Sequence, residues 1–270
     1  MNGLKLLTDA SAFLVSRAYS RNVASQLGKT KLYKMLYMAS WWARSESSTR
    51  LFLGPWYRID MGPALTPGDW EALTDSLANR FGIEARRVAM WHGYQQVCFS
   101  ALRNDPPKTL GKRQRSFLER AFNAIINLTA PEAAALTYTT SPMLWLVAEE
   151  RFKWGEAVQY RPFSLEDAER QRFMQLVDRY RQGEIDIPQI AHEMGPAWSP
   201  HQVALYLDTF SAHRSADGLR LDDSDREKIL LRIANAVVDR KVIPHPSPEE
   251  RALASSRLEG EYFAPSSILD

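Results

Sequence analysis

Cysteine is almost missing from this 270-residue chain, whose only thiol is Cys98. A lone cysteine excludes an intramolecular disulfide and a Cys-x-x-Cys zinc clamp, and the five scattered histidines supply no zinc-binding spacing. Long apolar runs are missing too. None approaches the ~20 residues of a membrane span, which leaves no membrane partner. The start, Met1-Asn2-Gly3-Leu4-Lys5 with Asp9 close behind, lacks the basic flank, apolar stretch and cleavage site of a secretory signal, and predicts a cytoplasmic protein. The phosphate-cradling GxGxxG, the GxSxG nucleophile turn and the HExxH zinc helix are absent. Leu110-Gly111-Lys112 has neither the earlier Gly nor the following Ser/Thr of a P-loop, and His192-Glu193 has no second His four residues on. These gaps predict no catalytic residue, no metal and no cofactor, hence a protein that is not an enzyme.

What is present is an ordinary globular composition, 45% hydrophobic and 24% charged, with eight Trp that argue against a wholly disordered chain. The net charge of +2 conceals an asymmetry. Residues 1–163 hold 21 Lys and Arg against 13 Asp and Glu, a net +8, whereas residues 164–270 hold 13 against 19, a net −6. Such opposition bears on association: the halves face each other, or each meets its own partner, or both are simply solvated surfaces. With the change in patterning at Ser164, it predicts two domains, 1–163 and 164–270.

Hydrophobic spacing predicts a mainly α fold, with a small antiparallel β element in the first domain and a helical second domain. Ala10, Phe13, Leu14 and Ala18 recur at helical spacing. After Gly28, Thr30 is placed to cap a second helix through Leu32, Met35, Leu36 and Ala39. Trp56-Tyr57-Arg58-Ile59, between Gly54-Pro55 and Gly62-Pro63, is too short for a helix and reads as strand or loop. A helix over 69–80 follows, then two short strands within Val88–Leu102 joined near His92-Gly93. Phe117, Leu118, Ala121, Ala124, Ile125 and Leu128 trace one stripe of a helix, and Thr129 with Glu132 has capping-box spacing for the next. Ser141-Pro142 starts another, with Leu144, Trp145 and Ala148.

The acidic half reads as helices alone. The first carries Leu165, Ala168, Phe173, Leu176, Val177 and Tyr180 as far as Gly183. The second starts at Ser199-Pro200-His201-Gln202 and is buried through Val203, Leu207 and Phe210. A third carries Ile229, Ile233 and Val237, and a short last one follows Ser247-Pro248. The tail 259–270 is extended, and its Tyr262 and Phe263, among Glu259, Glu261 and Asp270, are either anchors for a partner or groups folded back onto their own domain.

Other chemistry-bearing groups have simple structural readings. Cys98 in an apolar strand reads as core packing, and Glu149-Glu150 as a solvated face. Lys108, Lys112, Arg113, Arg115 and Arg120 form a basic run that suits either nucleic-acid phosphates or plain solvation opposite the apolar stripe. Residues 187–214 invite comparison with a DNA-reading helix-turn-helix, but Gly195–Ser199 is about two residues longer than the usual turn of three or four.

One segment is more specific. Lys31-Leu32-Tyr33-Lys34-Met35-Leu36-Tyr37-Met38-Ala39 resembles the "KLxKLLYxA" helix of the Panacea-domain (SocA-like) antitoxin family, and Tyr57-Arg58-Ile59-Asp60-Met61-Gly62-Pro63-Ala64 resembles its aromatic strand ending in "GPV" or "GPA". Ser141-Pro142-Met143-Leu144-Trp145 and Gly155-Glu156-Ala157-Val158 are similar to later features, so the likeness spans roughly residues 8–160. Pro142 stands where the family often has His, and any role of that imidazole is absent here. The resemblance implies an antitoxin that neutralises a cognate protein toxin by direct binding in the cytoplasm, as one half of a toxin-antitoxin pair of bacterial or phage defence. Lys31, Lys34, Tyr37, Tyr57, Gly62 and Pro63 are its candidate toxin-binding residues, joined by Tyr262 and Phe263 of the tail. The acidic half is then free for toxin specificity, self-association or promoter contact. The alternative is a transcriptional regulator that binds DNA through residues 187–214.

Overall fold

The computed structural model describes residues 2–46, 51, 53–59, 62–89, 95–101, 107, 109–152, 161–165 and 168–212. The chain is mainly α with small antiparallel sheets, and it divides into two compact units. The first comprises residues 1–137 with 159–163; the second takes 138–158 with 164–270.

In the first unit, α1 (Asn2–Ser20) and α2 (Lys29–Glu46) are followed by strands β1 (Trp56–Ile59) and β2 (Gly62–Ala64). Helix α2 is buried on almost every side from Leu32 to Ala43, as a helix apolar all round must be, and it packs against α1, β2 and two later helices. Thr30 lies within its first turn rather than capping it: the carbonyl of Gly28 accepts the first helical bond, from the Leu32 amide at 3.0 Å. Helix α3 (Pro67–Phe81) has the stronger signals. Thr66 accepts from the Asp69 amide, Pro67 sits at the first position, and Gly82 closes the helix at φ 64°.

Strands β3 (Ile83–Ala89) and β4 (Gln95–Ala101) pair antiparallel, from Ile83 opposite Ala101 to Ala89 opposite Gln95. The first strand starts five residues before the expected Val88, because Glu84, Arg86 and Arg87 are all exposed and, with Arg86 and Arg87 on opposite faces, break the apolar alternation. His92-Gly93 lies outside the described residues. Two strands cover little core, and Cys98 is half-exposed opposite Arg86 rather than packed inside.

Helix α4 (Lys112–Ile125) buries Leu118, Ala121, Phe122 and Ile125 and ends three residues before the expected Leu128. Helix α5 (Ala130–Thr137) opens with the predicted capping box: the Glu132 carboxylate accepts from the Thr129 amide at 2.6 Å, and Thr129 Oγ1 accepts from the Glu132 amide. After the chain has visited the second unit, β5 (Arg161–Phe163) adds to the first sheet, giving the order β2-β1-β5 with Trp56 opposite Phe163.

In the second unit, α6 (Ser141–Phe152), α7 (Ala168–Arg181), α8 (Ile187–Met194) and α9 (Pro200–Ala212) enclose Trp145, Phe173, Tyr206 and Phe210. Phe173 lies at the centre, 5.4 Å from Trp145 and stacked on Trp198 at 5.2 Å. Ser199 and Gln202 close the expected capping box of α9. Leu165 precedes α7 rather than belonging to it, and Tyr180 is exposed instead of joining its apolar stripe. The helices expected around 229–237 and after 247 lie outside the described residues.

Candidate functional site

The two segments that carry the family resemblance meet in the first unit. Lys34, on the buried face of α2, points at β2, and its Nζ donates to the Pro63 carbonyl at 2.7 Å. Gly62, at φ 86°, takes the left-handed backbone that starts β2, a conformation glycine accepts without strain. Pro63, which cannot donate to a ladder, sits on an edge strand opposite Arg58, where such a residue is tolerated.

The Lys34 ammonium is fully buried, and desolvation alone pushes its pKa down to about 7. One turn on, Tyr37 meets Trp56 edge-on at 5.4 Å and Phe163 at 6.0 Å, so α2 is pinned to both β1 and β5. Lys31 is half-buried and caps a different element: its Nζ donates at 2.8 Å to the carbonyl of Ile126, which closes α4. Burial lowers its pKa, and the charge of Glu132 opposes that shift. Tyr57 alternates with the buried Trp56 along β1, lies on the other face of the sheet, and stays half-buried.

Lys31 thus turns from α2 to the end of α4, and five of the eight sequence-predicted residues belong to one assembly of α2 with the sheet. Lys34 and Tyr37, at 1% and 0% exposure, lie in its interior rather than on faces open to a partner, because β1, β2 and β5 close over α2. Gly62 and Pro63 are buried as well. Lys31 and Tyr57 are the described candidates that reach solvent. Tyr262 and Phe263 lie outside the described residues, as do the Gly155–Val158 motif and the side chains of Glu149 and Glu150.

The basic run is divided among separate tasks. Arg120 bonds Glu46 at 2.6 Å and lies over the Trp42 ring at 4.1 Å, while Arg115 reaches the Pro107 carbonyl at 3.4 Å. Lys112 and Arg113 are exposed, and Lys108 lies outside the described residues. Near His192, Glu193 accepts from Arg179 at 3.0 Å, and no group of three metal-ligating side chains occurs among the described residues. No described helix is long and apolar enough to cross a membrane.

Sequence reasoning missed two polar clusters. Asp9, buried at 3% exposure, accepts from Arg80 at 2.6 Å and from Thr109 at 2.7 Å. Glu119 gathers Arg17 and Arg21 across α1 and α4. Each joins residues 71 to 102 positions apart, and no local pattern announces such a pairing. Compared with protein-family models, curated proteins and solved structures, the chain finds no match in any of the three.

Proposed function

We propose that this protein is an antitoxin that neutralises a cognate protein toxin by direct binding in the cytoplasm, with no catalytic activity or cofactor of its own. One observation carries the reading. The two segments that resemble the Panacea-domain family, 31–39 and 57–64, are far apart in sequence yet joined by the Lys34 ammonium on the Pro63 carbonyl. The motif residues other than Lys31, which bonds the end of α4, thus form a single device. Lys34, Tyr37, Gly62 and Pro63 set the sheet on the helix, and Lys31 and Tyr57 present a surface to the toxin.

The experiment is co-expression with the adjacent gene, scored for growth rescue and for co-purification. Rescue with a stable complex is the expected result, and Lys31→Glu combined with Tyr57→Ala abolishes both while cooperative melting persists. A neighbour that is harmless alone and does not co-purify would remove the reading. The same material separates it from a DNA-binding regulator acting through residues 187–214: such a regulator shifts its own promoter fragment and rescues nothing.

A further inference from the structure

Away from the Lys34 assembly, a cleft of about 470 Å³ opens between α1 and the first turns of α4, within the ~300–1,000 Å³ typical of small-molecule sites. Arg17, Lys112 and Arg115 contribute three cations to its lining. The one carboxylate among its lining residues, Glu119, accepts from Arg17 at 2.9 Å and from Arg21 at 2.7 Å, so the lining carries three cations to one carboxylate. The Lys112 ammonium makes no ion pair among the described residues.

An unpartnered hydroxyl in the same wall points to a ligand. On α1, Thr8 and Ser11 turn their hydroxyls back to the carbonyls of Leu4 and Leu7, at 2.7 and 2.8 Å, as such residues do in helices. Ser16 does not. At 4% exposure the residue lines the cleft, and its Oγ makes no hydrogen bond among the described residues while staying open to the cleft, so it is available to a ligand.

We propose that this cleft binds a nucleoside monophosphate. The phosphate sits against Lys112, Arg115 and the Ser16 hydroxyl, where charge-assisted bonds are strongest. The volume left over is too large for phosphate alone, and the half-buried Phe13 ring on its wall offers a flat apolar surface for the base. This site rests on α1 and α4 alone and is independent of the toxin reading.

The test is calorimetric titration of the full-length protein, in a phosphate-free buffer at low salt, with AMP, GMP, CMP and UMP. The parent nucleosides and inorganic phosphate serve as controls. At least one nucleotide is expected to bind one-to-one, about tenfold or more tighter than its nucleoside and than inorganic phosphate. Lys112→Glu, an exposed change that leaves the fold intact, weakens it about tenfold, and Ser16→Ala weakens it about fivefold at unchanged melting temperature. Silence from all four nucleotides would overturn the proposal. So would inorganic phosphate binding as tightly as the best nucleotide, or Lys112→Glu leaving affinity unchanged. Tyr57→Ala, which tests the toxin surface, leaves nucleotide binding untouched.

Discussion

Replacing Lys34 with methionine should stabilise the protein at neutral pH and flatten its pH dependence. Burial brings the ammonium pKa down to about 7 from 10.5. Below pH 7 both the folded and unfolded chains carry this proton, and the folded state bears the full cost of a buried charge. Between pH 7 and 10.5 the unfolded chain binds more proton than the folded one, so stability rises with pH at about 1.4 kcal/mol per unit from this group. From pH 7 to 9 the gain is about 2 kcal/mol, allowing for half-protonation at the lower end. Methionine removes the charge and keeps the unbranched stem, but leaves the Pro63 carbonyl without its 2.7 Å donor, a loss of about 1–3 kcal/mol. Against it stands the ~4 kcal/mol that burying the lysine costs at pH 7, so Lys34→Met is net stabilising by roughly 1–3 kcal/mol. The assay is urea unfolding of both proteins at pH 6, 7, 8 and 9. The wild type should gain on the variant between pH 7 and 9 by about 2 kcal/mol, and below pH 7 the difference should level off. Parallel stability profiles across this range would refute the reasoning, because they would show that Lys34 keeps an ordinary pKa inside the fold.

Other outcomes follow from particular contacts. Asp9→Ala strips Arg80 and Thr109 of their shared acceptor and should cost about 2 kcal/mol in a urea melt, Arg80 being exposed enough to recover some water. Phe173→Ala empties the centre of the second unit and should destabilise that unit by about 3–5 kcal/mol, read by loss of amide protection in α7 and α9. Thr66→Ala removes the cap of α3 and should lower stability by about 1 kcal/mol with no change in toxin rescue.

The helices were legible because their signals are local. The boxes Thr129–Glu132 and Ser199–Gln202 close within three residues, and the stripe of α4 repeats within two turns. The strands were less so. β1 could be read as loop or strand, and β5, three residues long, gains its meaning only from Trp56 a hundred positions earlier. Of the candidate site, the residue identities could be read but not their depth: Lys34 reads as a surface lysine until the sheet is seen to cover it. The cleft was hidden for the same reason, since Ser16 and Lys112 become neighbours only when α1 packs on α4.

The late arrival of β5 also orders events in time. A ribosome that has delivered residue 137 has delivered every helix of the first unit, yet β1 still lacks one neighbour and Tyr37 still lacks Phe163. At ~5–20 residues per second the missing strand follows about 1–5 s later, and the chain made in between contains α6, whose Leu144 and Trp145 find their cover only in α7 and α9 beyond. For those seconds each unit waits on residues of its own that are still to be made. A shortened chain that ends at 137 is left with an open sheet edge, one that ends at 163 carries an uncovered tryptophan helix, and neither cut releases a finished piece.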